Sequence, residues 1–531
     1  MVGPLTFFGP ELDNVRLDKR TMRETDLLAF EIAVTEGQPG MVMCSYNKLN
    51  GDWACENSYL LTDVLKKAWG FKGFVLSDWG GTHTTAKAAL AGLDNEEPGG
   101  DPARIHFGDA LKKAVESGEV PMARLNDMVH RIVRTEFASG VVDDPPRGRV
   151  VDPFQGADTA QKIAEQASVL LKNAGHQLPL NAALVKSIAV IGSHADTSVL
   201  SGGGSAQVDP PGSDASRYGA AVWFPCSPLK AIRAKAPKAK VEYNEGTDPA
   251  AAAALAKASE VAIVVVNEPT SEGRDMSSLS LSNKQDDLVS AVAAANPHTI
   301  VVLETGGPAA MPWIGNVSAA IEIWYPGIRG AEALANILFG DVNPCAKLPA
   351  TFAKSDADLP HPAIFGARPP ASPGAGTPAT GGRGMMDRAF DIDYTEGLKV
   401  GYKWFDAGNK EPLFAFGHGL SYTTFAYSGL KAGLDGVSFT VRNTGQRAGA
   451  EIAQVYVGLP AAAQEPPKRL VAWDKIELAP GESKTVALKL DSKFLSIFNE
   501  QKDDWELVPG EYKFFVGGSS RSTPLTATAR R

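Results

Sequence analysis

Six consecutive apolar residues at 261–266, in the run VAIVVVNE, place the strongest constraint on this chain. A strand that is apolar on both faces must be covered on both, which demands a sheet held between layers of helix. TIVVLETGG (299–307) repeats the pattern, and SIAVIG (187–192), KVEYNEG (240–246) and AAIEIWYPG (319–327) are further short runs bounded by turn residues. Helical patterns fall between several of them, as in NKQDDLVSAVAAAN (283–296), for which Ser282 is the expected N-cap. Alternating strand and helix imply parallel pairing with right-handed crossovers. Residues 166–355 therefore read as an α/β sandwich domain with a mainly parallel sheet.

A similar alternation fills 1–140. GMVMCSYN (40–47) and GFVLSDWG (73–80) read as buried strands, with the helical SYLLTDVLKKAWG (58–70) between them. A linker spans 141–165, opening on the Pro/Asp/Gly/Arg stretch at 141–153. A connecting segment, 356–430, contains GARPPASPGAGTPATGGRGMM (366–386), which carries almost no core-forming side chains and reads as a surface loop. From 431 to 531 the pattern turns all-β, with VSFTVRNTG, AEIAQVYVGL, TVALKL and GEYKFFVG separated by turn signals. That spacing suggests an antiparallel sandwich of fibronectin type III-like form. The expected fold class is a multidomain α/β plus all-β protein.

The 531 residues carry a net charge of −9 and no stretch that concentrates Lys and Arg, so a nucleic-acid partner is not expected. No run reaches the roughly 18 apolar residues of a membrane span, and no membrane partner is expected either. The eight histidines are scattered singly and the four cysteines show no metal-ligand spacing; neither a metal nor a cofactor is implied. Small buried thiols are the plainer reading of the cysteines. Cys44 and Cys55 are also close enough in sequence for a disulfide in an oxidising compartment. The compartment itself stays open, with a periplasmic or secreted setting favoured over the cytoplasm.

Two segments carry carboxylates where chemistry could use them. VLSDWGG (75–81) ends an apolar strand in Ser77, Asp78 and Trp79. In parallel α/β barrels the reactive groups sit at the C-terminal ends of strands. A carboxylate beside an indole suits sugar chemistry, since the ring packs on the sugar's C–H face while the carboxylate attacks the anomeric carbon. An Asp at a strand-to-helix turn also serves as an ordinary N-cap. VVVNEPTSEGRDMSSLSL (264–281) runs from a buried strand into a loop bearing Glu268, Glu272, Arg274 and Asp275. Loop carboxylates are mostly solvated, and Arg274 reads most simply as their ion-pair partner. Retaining glycoside hydrolysis needs two carboxyl groups about 5 to 5.5 Å apart, one keeping its proton through burial or a neighbouring anion.

The chain resembles glycoside hydrolase family 3 along nearly its whole length. The segments that carry the resemblance, in family order, are MCSYNKLNG (43–51), GFVLSDWGG (73–81), ASVLLKNAGHQLPL (167–180), GGGSAQVDPP (202–211), SEGRDMSSLSL (271–281), NPCAKLPATF (343–352) and EGLKVGYKWFD with PLFAFGHGLSYTTF (396–425). The resemblance implies Asp78 as nucleophile and Glu272 as general acid/base. It also implies Tyr46, Trp79, Met43 and Ser205 around the non-reducing sugar. Met276 stands where the family usually has Arg, leaving the partner of Asp275 open, and Cys345 replaces a usual Ser. The implied activity is retaining exo-hydrolysis that releases terminal β-D-glucose from β-linked glucosides or oligosaccharides. A β-xylosidase or other exo-β-glycosidase of the same family is the alternative enzyme. A non-catalytic sugar-binding or assembly protein is the alternative of another class. A dinucleotide site at GGGSAQ (202–207) is disfavoured, because Gln207 stands where the fingerprint needs Gly.

A complete α/β barrel takes about 250 residues and eight strands. By the resemblance, FFGPELDNVRLDKRTMRETDLLAFEIAV at the start of this chain corresponds to sequence well inside such a barrel. A partial barrel is therefore expected, with a free strand edge open to homo-oligomer formation. Weak catalysis by this chain alone is expected with it.

Overall fold

The computed structural model describes residues 14–362 and 391–531, except 100, 101, 103, 104, 149, 153, 211, 214–220, 272–275 and 277. The Pro/Gly-rich stretch expected to form a surface loop, 366–386, lies outside the described residues. The chain divides into two compact units. One comprises Met1–Val150, Ala371–Leu398 and Phe498–Asp504; the other comprises Val151–Pro370, Lys399–Ile497 and Trp505–Arg531.

The second unit holds the sheet that the apolar runs demanded. Its strands lie in the order Lys240–Asn244, Ser187–Ile191, Val261–Glu268, Thr299–Thr305, Ala319–Glu322 and Val169–Asn173. The first five are mutually parallel and the last is antiparallel at the edge. Period-two alternation sorts the side chains between two cores. Ile263 and Val265 join Ile188, Val190, Ile300 and Val302 on one face. Ala262, Val264 and Val266 join Val301, Leu303, Val289 and Val292 on the other. Each fully buried Val, Leu or Ile contributes about 1.5–3 kcal/mol, so the doubly apolar strands are the sheet's main anchors. The helix Gln285–Ala295 covers one face, but Ser282 does not cap it. Lys284 occupies the N-cap at φ +58° with no side-chain bond, while the Ser282 N–H donates to Glu268 Oε2 at 2.6 Å. Glu268 thus holds the segment that Ser282 would otherwise cap. The helix Ala157–Ala167 begins within the stretch read as linker and runs two residues past it.

The same unit contains an all-antiparallel sandwich. One sheet pairs Phe425–Ala432, Gly436–Asn443 and Ser483–Lys489; the other pairs Arg469–Leu478, Gly449–Gly458, Glu511–Gly517 and Leu525–Arg530. Phe439, Val455, Tyr512 and Phe514 fill the space between them. This is the fibronectin type III-like form the alternation implied.

In the first unit, Met41–Cys44 and Phe74–Ser77 pair in parallel, and Leu76 bridges Asn95 on the far side. The helix Tyr59–Ala68 makes the crossover, burying Leu61, Val64 and Leu65. No closed barrel forms among the described residues, as a partial barrel requires. The Met41–Cys44 strand has no partner on its outer edge among them, and Met41 and Met43 are 43% and 53% exposed.

Candidate active site

The Phe74–Ser77 strand is anchored from behind by a buried carboxylate. Asp94 accepts the Val75 N–H at 2.8 Å and pairs with Lys66 and Arg124, each at 2.7 Å. Burial pushes the Lys66 ammonium down to about 8, against the pull of Asp94. The strand end is braced as well: Ser77 N–H donates to the Asn95 carbonyl, and Ser77 Oγ accepts the Glu97 N–H at 2.9 Å.

These bonds fix the turn that presents Asp78. Its N–H donates to the Cys44 carbonyl at 3.2 Å, and its carbonyl accepts the Gly81 N–H at 2.9 Å. The half-exposed Asp78 carboxylate accepts the Trp79 N–H at Oδ1, 2.7 Å away, and Oδ2 makes no hydrogen bond among the described residues. Trp79 is 69% exposed beside it. Cys44 and Cys55 form a disulfide with Cα atoms 5.2 Å apart, closing the loop that carries the half-exposed Tyr46. Asp78, Trp79, Tyr46 and Met43 therefore all stand at or beside the C-terminal end of one parallel strand pair. An exposed ring, an apolar thioether and a carboxylate on one rim match the demands of a pyranose, apolar on its C–H face and electrophilic at C1.

Ser205 belongs to the second unit, where it is exposed on the wall of a cavity of about 850 Å³ that Gly202, Val208, Thr270, Ser271 and Tyr325 also line. The cavity opens beyond the C-terminal ends of the Val261–Glu268 and Ala319–Glu322 strands, where open α/β sheets place their ligands. The chain runs from Thr270 and Ser271 directly into the loop that bears Glu272. Glu272, Arg274 and Asp275 lie outside the described residues. Among the described residues no three His, Cys, Asp or Glu side chains group as metal ligands.

Sequence reasoning missed what stands behind this cavity. Glu304 and Glu322 end neighbouring strands with no accessible surface. Burial pushes both carboxyls up to about 8, outweighing the bonds they accept. Tyr325, which meets Thr270 through its hydroxyl, was also missed. The only available signal was an acid inside each apolar run, LET and IEI.

Comparison with known proteins bears on both units. Residues 9–135 match the glycosyl hydrolase family 3 N terminal domain, 168–422 its C-terminal domain, and 451–520 a fibronectin type III-like domain. The "Thermostable beta-glucosidase B" of Acetivibrio thermocellus is 35% identical over 539 residues, spanning 97% of this chain and 66% of that protein. The "Probable beta-glucosidase L" of Aspergillus terreus is also 35% identical, over 96% of this chain and 73% of its own length. The chain thus spans about two thirds to three quarters of these relatives. Among solved structures, DesR, a beta-glucosidase from Streptomyces venezuelae in complex with D-glucose, superposes with a TM-score of 0.83 at 31% identity. The match covers 98% of this chain and 79% of that one.

Proposed function

This chain belongs to glycoside hydrolase family 3, and from that premise we propose that it is a retaining exo-β-glucosidase acting by double displacement. Asp78 Oδ2 attacks C1 of a terminal β-D-glucosyl unit as the bond from C1 to the aglycone oxygen breaks. That oxygen takes the proton of Glu272. The resulting glucosyl ester on Asp78 is then cleaved by water, which gives its proton to Glu272 while attacking C1, and Asp78 leaves as the carboxylate. Two inversions at C1 return the β configuration.

The observation that carries this reading is the presentation of Asp78. The Asp78 main chain is held by two hydrogen bonds at the end of a parallel strand and its carboxylate by a third at Oδ1, with no bond to Oδ2 among the described residues, which suits the role of nucleophile. Trp79 and Tyr46 offer the adjacent apolar surface for the sugar ring.

Proton NMR of the first glucose released from an aryl β-glucoside tests the mechanism. The β anomer is expected first, with the α form growing in only by mutarotation. Release of the α anomer would overturn it, because that is the product of an inverting enzyme. Asp78→Ala and Glu272→Ala must each abolish release of a poor leaving group; retention of full activity by either variant removes that residue from the mechanism.

A further inference from the structure

We propose that Tyr325 positions the base of the loop bearing Glu272, and that buried Glu322 sets Tyr325 in turn. This rests on the reading of Glu272 as general acid.

The Tyr325 hydroxyl meets several groups of the segment that leaves the Val261–Glu268 strand. It accepts the Thr270 N–H at 2.6 Å, lies 3.1 Å from Thr270 Oγ1, and stands 3.4 Å from the Glu268 carbonyl. One phenol therefore immobilises the residue two positions before Glu272. The opposite side is closed by backbone. A Cβ on Gly202 would lie 1.4 Å from the Thr270 carbonyl oxygen, and one on Gly306 would lie 2.1 Å from Thr270 Oγ1 and 2.4 Å from the Tyr325 oxygen. Thr270 is thus gripped by a hydroxyl, by Gly202, where a side chain would meet its backbone, and by the close approach of Gly306.

The aim of Tyr325 is set by an unusual residue before it. Trp324 has φ +56°, a left-handed conformation that disfavours a bulky side chain and persists only when its surroundings enforce it. Here the Trp324 N–H donates to Glu322 Oε1 at 2.8 Å, and its indole N–H donates to the Ala167 carbonyl at 3.1 Å. Thr305 Oγ1 donates to Glu322 Oε2 at 2.9 Å and lies 2.7 Å from the Gly307 carbonyl. The Glu322 carboxyl thus accepts from both Trp324 and Thr305. An alkyl side chain would fill the same space but accept neither bond, so Trp324 would be free to leave its left-handed conformation and Tyr325 would lose its aim. Small displacements of a catalytic group matter: about 1 Å can lower a rate on the order of 100-fold.

The test separates this role from simple packing by varying the leaving group. A 2,4-dinitrophenyl β-glucoside departs without protonation, whereas a methyl β-glucoside needs the acid. Tyr325→Phe is expected to lower kcat/KM for the methyl glucoside by about 10- to 100-fold, the range one positioned acid contributes. The dinitrophenyl substrate should stay within about twofold, since it gains nothing from that acid. Hydrogen exchange at the Thr270 amide should rise at least about tenfold in the same variant, reflecting the lost acceptor. Glu322→Gln, which keeps an acceptor for the Trp324 N–H, should behave as wild type, and Glu322→Leu should reproduce the split. Equal losses on both substrates, or unchanged exchange at Thr270, would overturn the proposal. Glu272→Ala serves as the reference. If it splits the two substrates and Tyr325→Phe does not, the positioning role fails alone; if Glu272→Ala shows no split, the general-acid reading fails and takes the proposal with it.

Discussion

Replacing Glu304 by Gln should remove most of a pH-dependent penalty from the sandwich domain. Glu304 has no accessible surface; Oε2 accepts the Val199 N–H at 3.2 Å, and Oε1 has no hydrogen-bond partner among the described residues. Burial raises its carboxyl from the ordinary 4.5 to about 8. The sign follows from which state holds the proton. Between those values the unfolded chain ionises while the folded protein keeps its proton, so the unfolded state is favoured as pH rises. The Glu304 contribution to stability is therefore fully present below about 4.5, falls through neutral pH, and levels off above 8. At about 1.4 kcal/mol per pH unit, the full span amounts to roughly 5 kcal/mol. Gln keeps the shape and the Val199 bond without the ionisation. Hydrogen exchange of the Ile300–Leu303 amides, corrected for intrinsic rates, reads the opening free energy at pH 5 and pH 8. Across that window the wild type should lose roughly 4 kcal/mol more than Glu304→Gln. Glu322 titrates in both proteins, so its contribution largely cancels from the comparison. Parallel behaviour of the two proteins with pH would refute the argument, because it would mean that the Glu304 carboxyl ionises inside the fold without penalty.

Two further outcomes follow from the first unit. The Cys44–Cys55 disulfide closes a loop of sequence separation 11, which should contribute about 2–3 kcal/mol by limiting the unfolded chain. Melting with and without a dithiol reductant checks this: the wild type should lose stability on reduction, whereas Cys55→Ser should start lower and not change further. The edge of Met41–Cys44 that has no partner among the described residues, with Met41 and Met43 exposed, should drive self-association, and Met41→Lys should suppress it. Sedimentation velocity across a concentration series would show this, and identical profiles for the two proteins would remove the edge from the interface.

What the sequence could show was set by how far each feature depends on distant neighbours. The Val261–Glu268 and Thr299–Thr305 strands announce themselves, since an unbroken apolar run has few other places to go. The turn at Asp78 was legible for a related reason: a strand end followed by Trp and a Gly pair marks a turn within one short segment. Ser282 misled because capping propensity is local, and the hydrogen bond that diverts its N–H comes from Glu268, 14 residues earlier. Val169–Asn173 was noted as a motif but not as a strand, because its partner is an antiparallel edge that only the folded sheet creates. Tyr325 was the least legible of all. Its contact with Thr270 spans 55 residues and exists only because the Thr299–Thr305 strand lies between Val261–Glu268 and Ala319–Glu322, bringing their ends onto one rim.

That rim explains why buried acids are tolerated in a domain otherwise built from aliphatic side chains. Parallel strands end with carbonyls and turns on one side of the sheet, and the turns there must leave a cavity open without collapsing into it. Hydrophobic contacts are non-directional and cannot specify such turns. A buried carboxyl can, because unmet hydrogen bonds inside the fold are expensive and only a few arrangements satisfy them. Glu304 reaches the Ser198–Ser201 strand that leads to the cavity wall, and Glu322 reaches Trp324, which leads to Tyr325. Each acid lowers the stability of the sheet at neutral pH and in exchange dictates the path of one loop. On this argument, Glu304→Gln should stabilise the domain while leaving the loops in place. Substituting Leu at either position should free the loop it governs even where the sheet itself becomes more stable. Stability and activity are therefore expected to move in opposite directions in the Leu variants and independently in the Gln variants, a pattern that simple core packing would not produce.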